Sequence, residues 1–218
     1  VDVKLLVPVG VEPHDWEPTI KDVQQMQKSD LIVINGIGFE SWVDKLHEMN
    51  YQGVIVDTSD GIIIKNMNNE SSIHEKHIDE SRDPHIWLNP VFAKIQVQNI
   101  ANAFSNSDPA NRQYFQENAA NYINKLDLLD SKIRNELSGC NRDFIVFHHA
   151  FSYFADEYDL NQHTIISSYA PHTEPTAKTL ENVINKAKQF NVKIIFTEET
   201  ADPKTSQVIA NEIGGKIL

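Results

Sequence analysis

One apolar stripe constrains this chain more than any other feature of its sequence. Between Asp108-Pro109 and Ser138-Gly139, apolar residues recur at steps of three and four, which is the period of one helical face. Asp108 suits the N-cap and Pro109 the first helical position. The predicted helix has about 30 residues and is on the order of 45 Å long, enough to run the height of two lobes. The stripe comprises Phe115, Ala119, Tyr122, Ile123, Leu126, Leu129, Ile133 and Leu137.

Short apolar runs alternate with amphipathic segments on the N-terminal side of this helix. Thr19 and Asp22 form a capping-box-like helix start, and Asn35-Gly36 closes a buried strand. Strands that alternate with helices indicate βαβ units and a parallel sheet. The predicted strands are 3–7, 31–34 and 54–56, and the predicted helices are 19–28 and 39–49.

The same alternation restarts on the C-terminal side. Strands are predicted at 144–147, 164–166 and 192–196, with another beginning at 217, and helices at 150–158, 176–190 and 203–213. The predicted fold class is therefore α/β, with two lobes that each hold a parallel sheet flanked by helices, joined by one long rigid helix. The predicted divisions are 1–107 for the N-terminal lobe, 108–139 for the linking helix and 140–218 for the C-terminal lobe.

Charge and composition exclude several classes of function. The formal net charge of −12 argues against nucleic acid as a partner, and the same negative field raises the local concentration of cations. The apolar runs fall far short of the ~20 residues that a membrane-spanning helix needs. Cys140 is the single cysteine, which excludes zinc sites built from several thiolates. The nine histidines are then the most distinctive residues.

Three of these histidines stand in similar settings. His14 follows the first predicted strand, His85 precedes a predicted helix, and His148 follows the strand at 144–147. At least two of them are thus predicted at the carboxyl ends of parallel strands, where open α/β sheets bind ligands. If the lobes face each other, three imidazoles converge there, and imidazole is a good zinc ligand. Taken singly, each histidine is more typical of a loop residue that binds a backbone carbonyl.

The residues around two of the histidines favour the metal-site interpretation. His14 and His85 each follow a proline and precede a tryptophan, Trp16 or Trp87, by two positions. Both also have acidic neighbours, which are able to accept the hydrogen of the second ring nitrogen.

Four further residues are weaker candidates for the site. Glu198 follows a predicted strand, so its carboxylate either faces the crevice or belongs to a helix start. His172 lies in a turn-rich segment. His74 and His77 lie in a polar segment, 65–83, that predicts a mobile surface loop, and they either collect metal transiently or are simply solvated.

Four segments in this order and spacing resemble a known family over essentially the whole chain. The family is that of the metal-binding receptors of ABC transporters for zinc and manganese, the ZnuA/TroA-like solute-binding proteins. The segments are Pro13-His14-Asp15-Trp16-Glu17-Pro18-Thr19, Asp83-Pro84-His85-Ile86-Trp87-Leu88-Asn89-Pro90, Phe147-His148-His149-Ala150-Phe151-Ser152-Tyr153-Phe154, and Ile195-Phe196-Thr197-Glu198-Glu199 with Asp202-Pro203-Lys204.

This resemblance implies a receptor rather than an enzyme. His14 and His85 would bind one divalent ion from the N-terminal lobe and His148 from the C-terminal lobe. Zinc is favoured and manganese possible, because imidazole suits zinc while manganese tolerates more oxygen ligands. The implied partner is an ABC permease. The implied location is extracytoplasmic, in the periplasm or at the cell surface, with a monomer that meets the membrane only through a lipid anchor outside this chain.

The chain departs from the family pattern in three places. Family members have a further strand and helix ahead of Val1. Many take their fourth ligand, an aspartate, from beyond Leu218, so water, Glu198 or a residue outside this sequence would fill that position here. His149 stands where the family commonly has aspartate.

Two other classes of function stay open at this point. A zinc-dependent hydrolase would use the same histidines with Glu198 or Glu174 as general base, although the chain has no His-Glu-x-x-His motif, no nucleophile elbow and no phosphate-binding glycine loop. An adhesion or scaffolding protein would hold the metal structurally.

Overall fold

The computed structural model of the chain describes residues 1–64, 82–166, 175–197 and 203–218. These residues divide into two units, Val1–Asp130 and Ser131–Leu218. Four of the seven candidate site residues lie outside the described ranges, namely His74, His77, His172 and Glu198, as does Glu174. In the part of the chain that is described, no helix is both long and apolar enough to cross a membrane.

The first unit is built around a two-stranded parallel sheet. Strands β1 and β2 pair in register from Leu31 with Val54 to Ile34 with Asp57, and α3 packs on β2. Short 3-10 helices at Ile86–Leu88 and Pro109–Asn111 stand on either side of α3. The elements are α1 (Ile20–Met26), β1 (Leu31–Ile34), α2 (Val43–Glu48), β2 (Val54–Asp57), α3 (Pro90–Ser107) and α4 (Arg112–Leu137), of which α4 continues into the second unit.

Side-chain caps set where two of these helices begin. The predicted capping box of α1 is confirmed, because the Asp22 backbone N–H donates to Thr19 Oγ1 and the Thr19 N–H donates to Asp22. Asn89 caps α3 by accepting the N–H of Val91 at 2.8 Å, with Pro90 at the first helical position. The cap on α3 fixes the end of the segment that contains His85.

The core of the first unit is an aromatic and aliphatic cluster beneath α1 and α2. Trp16 and Trp42 meet edge to face, with ring centroids 5.6 Å apart. The buried members of the cluster are Trp16, Met26, Ile32, Ile34, Trp42 and Leu46. Trp16 therefore anchors the chain two residues beyond His14.

The second unit holds a four-stranded parallel sheet in the order β4-β3-β5-β6. Its buried core includes Ile145, Ile165, Ile195 and Ile209, and α5 contacts β4 while α7 contacts β5. The elements are β3 (Asp143–Val146), α5 (Ser152–Glu157), β4 (Asn161–Thr164), α6 (Ala177–Gln189), β5 (Ile194–Phe196), α7 (Pro203–Ile213) and β6 (Lys216–Ile217). The predicted α/β class, with parallel sheets flanked by helices, is confirmed.

The predicted long helix is confirmed as α4, with a modified start. Pro109–Asn111 form a 3-10 turn, and the α-helix then runs 26 residues from Arg112 to Leu137. Phe115 and Ala119 of its apolar stripe are buried, whereas Tyr122 and Leu129 are exposed.

Three predicted elements differ from the structure. Residues 3–7 form no strand, because a strand needs a hydrogen-bonded neighbour and the described residues give this segment none; Val3 is 77% exposed. The helix predicted at 39–49 is reduced to α2. The strand predicted at 164–166 lies earlier, as β4, whose polar residues conceal it in the sequence.

Candidate metal centre

His14 lies in a run of turns immediately before α1. The N–H groups of Asp15 and Trp16 donate to the carbonyls of Glu12 and Pro13, which folds the segment back on itself. This fold places the Glu12 carboxylate 2.5 Å from Nδ1 of His14. With the proton on Nδ1, the ring donates to the carboxylate, and Nε2 is then the ring atom suited to a metal.

His85 is held by a second carboxylate in the same way. Asp83 Oδ1 accepts the His85 backbone N–H at 3.0 Å and lies 2.7 Å from its Nδ1. Both residues are almost fully buried, with His85 1% exposed and Asp83 0%. A buried carboxylate behind an imidazole orients the ring and makes it a stronger metal ligand. The acidic neighbours noted in the sequence thus have the predicted role of ring partners.

The two imidazoles lie side by side within the first unit. Their ring centroids are 5.3 Å apart, and one ring nitrogen of each lies within 4.8 Å of the other. Two nitrogens on one tetrahedral zinc ion are about 3.4 Å apart, given bonds of about 2.0–2.1 Å. A small approach of the rings therefore suffices for one ion to contact both.

Aromatic side chains surround this pair of histidines. Phe39 meets the His14 ring edge to face at 4.9 Å, and Trp87 lies 5.1 Å from the His85 ring. Phe39 and Trp87 are themselves 5.2 Å apart. An apolar wall of this kind lowers the local dielectric constant and restricts water, which tunes a metal bound beside it.

His148 belongs to the second unit and follows β3 by two residues. It is 7% exposed, and its carbonyl accepts the N–H of Ala150 at 2.9 Å. The Phe151 N–H donates to Gln162 Oε1 at 2.6 Å, which ties the following turn to β4. The predicted place of His148 at the carboxyl end of a parallel strand is confirmed, and ligands of open α/β sheets bind at such ends.

The expectation that at least two of the three histidines follow strands is wrong for the described residues. His14 follows turns, because the strand predicted at 3–7 is not formed, and His85 precedes a 3-10 helix. The sequence analysis placed Phe39 at the start of a predicted helix and assigned the loop at 35–40 no role at the site. The available signal was that loop's position, directly after β1 at its carboxyl end.

Glu40 is the carboxyl group of the loop 35–40, and its pKa is shifted. Burial raises its pKa above the ordinary value, and the nearby Asp57 carboxylate acts in the same direction. Hydrogen bonds from the N–H groups of Asn35 and Gly36 oppose the rise. The carboxyl thus binds its proton more tightly in the folded than in the unfolded chain.

This raised pKa predicts a pH dependence of stability. Tighter proton binding by Glu40 in the folded chain adds to the free energy of unfolding. This addition is fully present below the ordinary pKa of 4.5 and is lost as pH rises through the higher folded pKa. Glu40→Gln cannot titrate, so its free energy of unfolding should fall less than that of the wild type from pH 4.5 to neutral pH. Urea unfolding across this range measures the difference. The control Glu48→Gln, at an exposed position of α2, should follow the wild type, and identical profiles for all three proteins would refute the prediction.

The fold and this site together point to a known family of proteins. Two carboxylate-held imidazoles whose ring nitrogens lie within 4.8 Å of each other, in an α/β fold, are typical of a metal-binding protein. Residues 1–218 match the ZnuA family, described as the periplasmic component A of the zinc-uptake complex, and the chain belongs to that family.

Two proteins of similar sequence are named as zinc-uptake or zinc-binding proteins. The chain is 40% identical over 224 residues to the high-affinity zinc uptake system protein ZnuA of Bacillus subtilis, which covers 99% of this chain and 69% of that protein. It is 32% identical over 231 residues to the zinc-binding protein AdcA of Streptococcus pyogenes, covering 99% of this chain and 45% of AdcA. The chain thus spans less than half the length of AdcA.

Solved structures are also similar. A crystal structure of ZnuA superposes with a TM-score of 0.86 at 32% identity, over 100% of this chain and 81% of that one. The laminin-binding adhesin Lmb of Streptococcus agalactiae has a TM-score of 0.86 at 26% identity, over 97% of this chain and 78% of that one.

Proposed function

We propose that this chain is the extracytoplasmic receptor of a zinc-uptake ABC transporter. The observation that carries the proposal is a pair of carboxylate-held imidazoles, the half-buried His14 and the buried His85, in a chain that matches the ZnuA family along its whole length. The receptor binds one zinc ion and delivers it to a membrane permease. It works outside the cytoplasm, as the family description and the lipoprotein AdcA of Streptococcus pneumoniae indicate.

The proposed metal site consists of three imidazoles. His14 and His85 come from the first unit and His148 from the second. Support for His148 is its burial and its place at the carboxyl end of β3. Imidazole ligands favour zinc, and manganese remains the alternative ion. The fourth position goes to water, to Glu198 or to a residue outside this sequence, while His172, His74 and His77 are weaker proposed contributors.

The proposed organisation keeps the long helix as a linking element. It assigns 1–107 and 140–218 to two lobes and 108–139 to the linker. Support comes from α4, which runs from one unit of the chain into the other. The receptor is proposed to act as a monomer whose membrane contact is a lipid anchor beyond these residues.

Hydrolysis and adhesion are the two alternatives to a transport function. The family consists of solute-binding transport proteins, so we propose that the chain has no hydrolase activity of its own. Adhesion is a second candidate function, because the structurally similar Lmb is described as bifunctional, with adhesin and metal-transporting activity.

Calorimetric titration of the metal-stripped protein with zinc and with manganese tests the proposal. One tight site per chain, with zinc preferred, is the expected result. An absence of binding by either ion would contradict it. Metal-dependent turnover of generic ester or phosphate substrates that His85→Ala abolishes would instead establish the hydrolase.

Replacement of Asp83 should weaken zinc binding although Asp83 is not one of the proposed ligands. Asp83→Asn is expected to lower the affinity about 10–100-fold, because the amide no longer fixes the His85 ring and its tautomer as the carboxylate does. A matched control exists in the second unit, where Asp143 holds Nε2 of His163 at 2.8 Å. Asp143→Asn should leave the affinity unchanged in the same titration. Equal effects of the two substitutions would contradict the role of Asp83.

A further inference from the structure

We propose that Glu40 is a positioning residue for the metal site, acting through the loop 35–40, which contacts both histidine segments of the first unit. This inference rests on the proposed function, since it concerns the same site. The hydrogen bonds of Glu40 go to the backbone of the loop and not to either imidazole. Its influence on the histidines passes through Asn35 and Phe39.

The Glu40 carboxylate closes the loop on itself. Its Oε1 accepts the N–H of Asn35 at 2.7 Å, and its Oε2 accepts the N–H of Gly36 at 3.1 Å. Hydrogen bonds to a carboxylate are stronger than those between neutral groups, and here two of them converge on one side chain.

The backbone that Glu40 closes is strained. Ile37 has a φ of 61°, a left-handed conformation that β-branched residues rarely adopt, between Gly36 at 87° and Gly38 at 80°. Strain of this kind persists only where the surrounding structure over-determines the conformation. At Gly36 a Cβ atom would also lie 2.0 Å from Asp57 Oδ1, so neither space nor conformation allows a larger residue there. The loop is therefore held in one conformation by its neighbours.

The loop reaches the segment of His85 through an amide. Asn35 Nδ2 donates to the carbonyl of Pro84 at 2.9 Å, one residue before the histidine. The orientation of that amide is set from α3, where Gln96 Nε2 donates both to Asn35 Oδ1 at 3.1 Å and to Thr58 Oγ1 at 2.9 Å.

The loop reaches His14 through an aromatic ring. Phe39, next to Glu40, packs edge to face on the His14 imidazole and also contacts Trp87. One loop thus touches both histidine segments, and Glu40 fixes both ends of it. A site whose ligands are held in place before the metal arrives loses less freedom on binding, so removal of Glu40 should cost affinity without removing a ligand.

The first test uses metal-free protein, so it does not depend on zinc binding. Long-range proton–nitrogen NMR spectra report the tautomer and mobility of each imidazole. In Glu40→Ala, the signals of His14 and His85 should shift or broaden, while that of His163, stacked on Phe190 in the second unit, should not. Unchanged His14 and His85 signals would overturn the proposal.

The second test is zinc titration of the same variants. Glu40→Ala should bind zinc about 2–10-fold more weakly, the size of effect expected when one side chain must be ordered on binding. Glu40→Gln should recover part of the loss because its amide oxygen still accepts one N–H. Glu48→Ala, at an exposed position, should bind as the wild type does. Leu46→Ala is the stability control, since it removes a buried core side chain and leaves the loop contacts in place.

The outcomes separate positioning from mere stability and from the proposed function. If Glu40→Ala and Leu46→Ala lose affinity alike, in proportion to lost stability, Glu40 is only structural and the proposal falls. If Glu40→Ala does not fold, the same comparison is made with Glu40→Gln. If the wild type binds no zinc while the imidazole signals still respond to Glu40→Ala, the proposed function fails and the positioning role stands.

Discussion

Replacement of His85 by alanine is expected to weaken zinc binding by at least about 100-fold, beyond the range typical of residues behind the ligands. The substitution removes one of three proposed imidazoles and leaves the fully buried Asp83 carboxylate without its ring partner. Competition with a chromophoric chelator of known zinc affinity measures the change. His163→Ala is the control, because His163 is also paired with a carboxylate but lies outside the proposed site.

The variant must remain folded for this result to be informative. Circular dichroism and urea unfolding of His85→Ala establish that. A folded His85→Ala protein with wild-type affinity would refute the proposed ligand, and an equal loss in His163→Ala would show that the effect is unspecific.

The largest expected effect on stability comes from the central strands of the second unit. Ile195→Ala should lower the free energy of unfolding by about 2–5 kcal/mol, because Ile195 is 0% exposed and its removal leaves a cavity in the core. Its neighbour Ile194 lies on the other face of β5 and is 41% exposed. Ile194→Ala should therefore cost at most about 1 kcal/mol. Urea unfolding of both variants measures the difference.

This pair of substitutions also tests the register of β5. Side chains alternate between faces along a strand, so a slip of one residue exchanges the buried and exposed positions. A larger loss for Ile194→Ala than for Ile195→Ala would contradict the pairing of Ile195 with Ile145 and Ile217.

The elements that could be predicted from sequence are those with a local cause. The helix α4 follows from a sustained apolar period and an Asp-Pro start, and α1 from the Thr19 capping box. Strand β4 was displaced in the prediction because its four residues, Asn161–Thr164, are polar and only pairing with β3 makes them a strand. The strand predicted at 3–7 failed for the complementary reason, since its apolar pattern finds no neighbour among the described residues.

The contacts of the candidate site also fall into two groups, those that are local in sequence and those that only the folded chain creates. Carboxylate partners two residues before His14 and His85 are local in sequence, so their role could be anticipated from the flanking residues. By contrast, Asn35 contacts Pro84, which is 49 positions away in the sequence. Phe39 contacts His14, which is 25 positions away. Tertiary folding alone creates such contacts, and no periodicity or cap encodes them.

X-ray absorption at the zinc edge tests the central claim most directly, on zinc-loaded wild type and on His148→Ala. The predicted spectrum of the wild type shows three imidazole nitrogens at about 2.0–2.1 Å. His148→Ala should retain two. A wild-type shell without imidazole scattering, or an imidazole count that His148→Ala leaves unchanged, would contradict a three-histidine metal site.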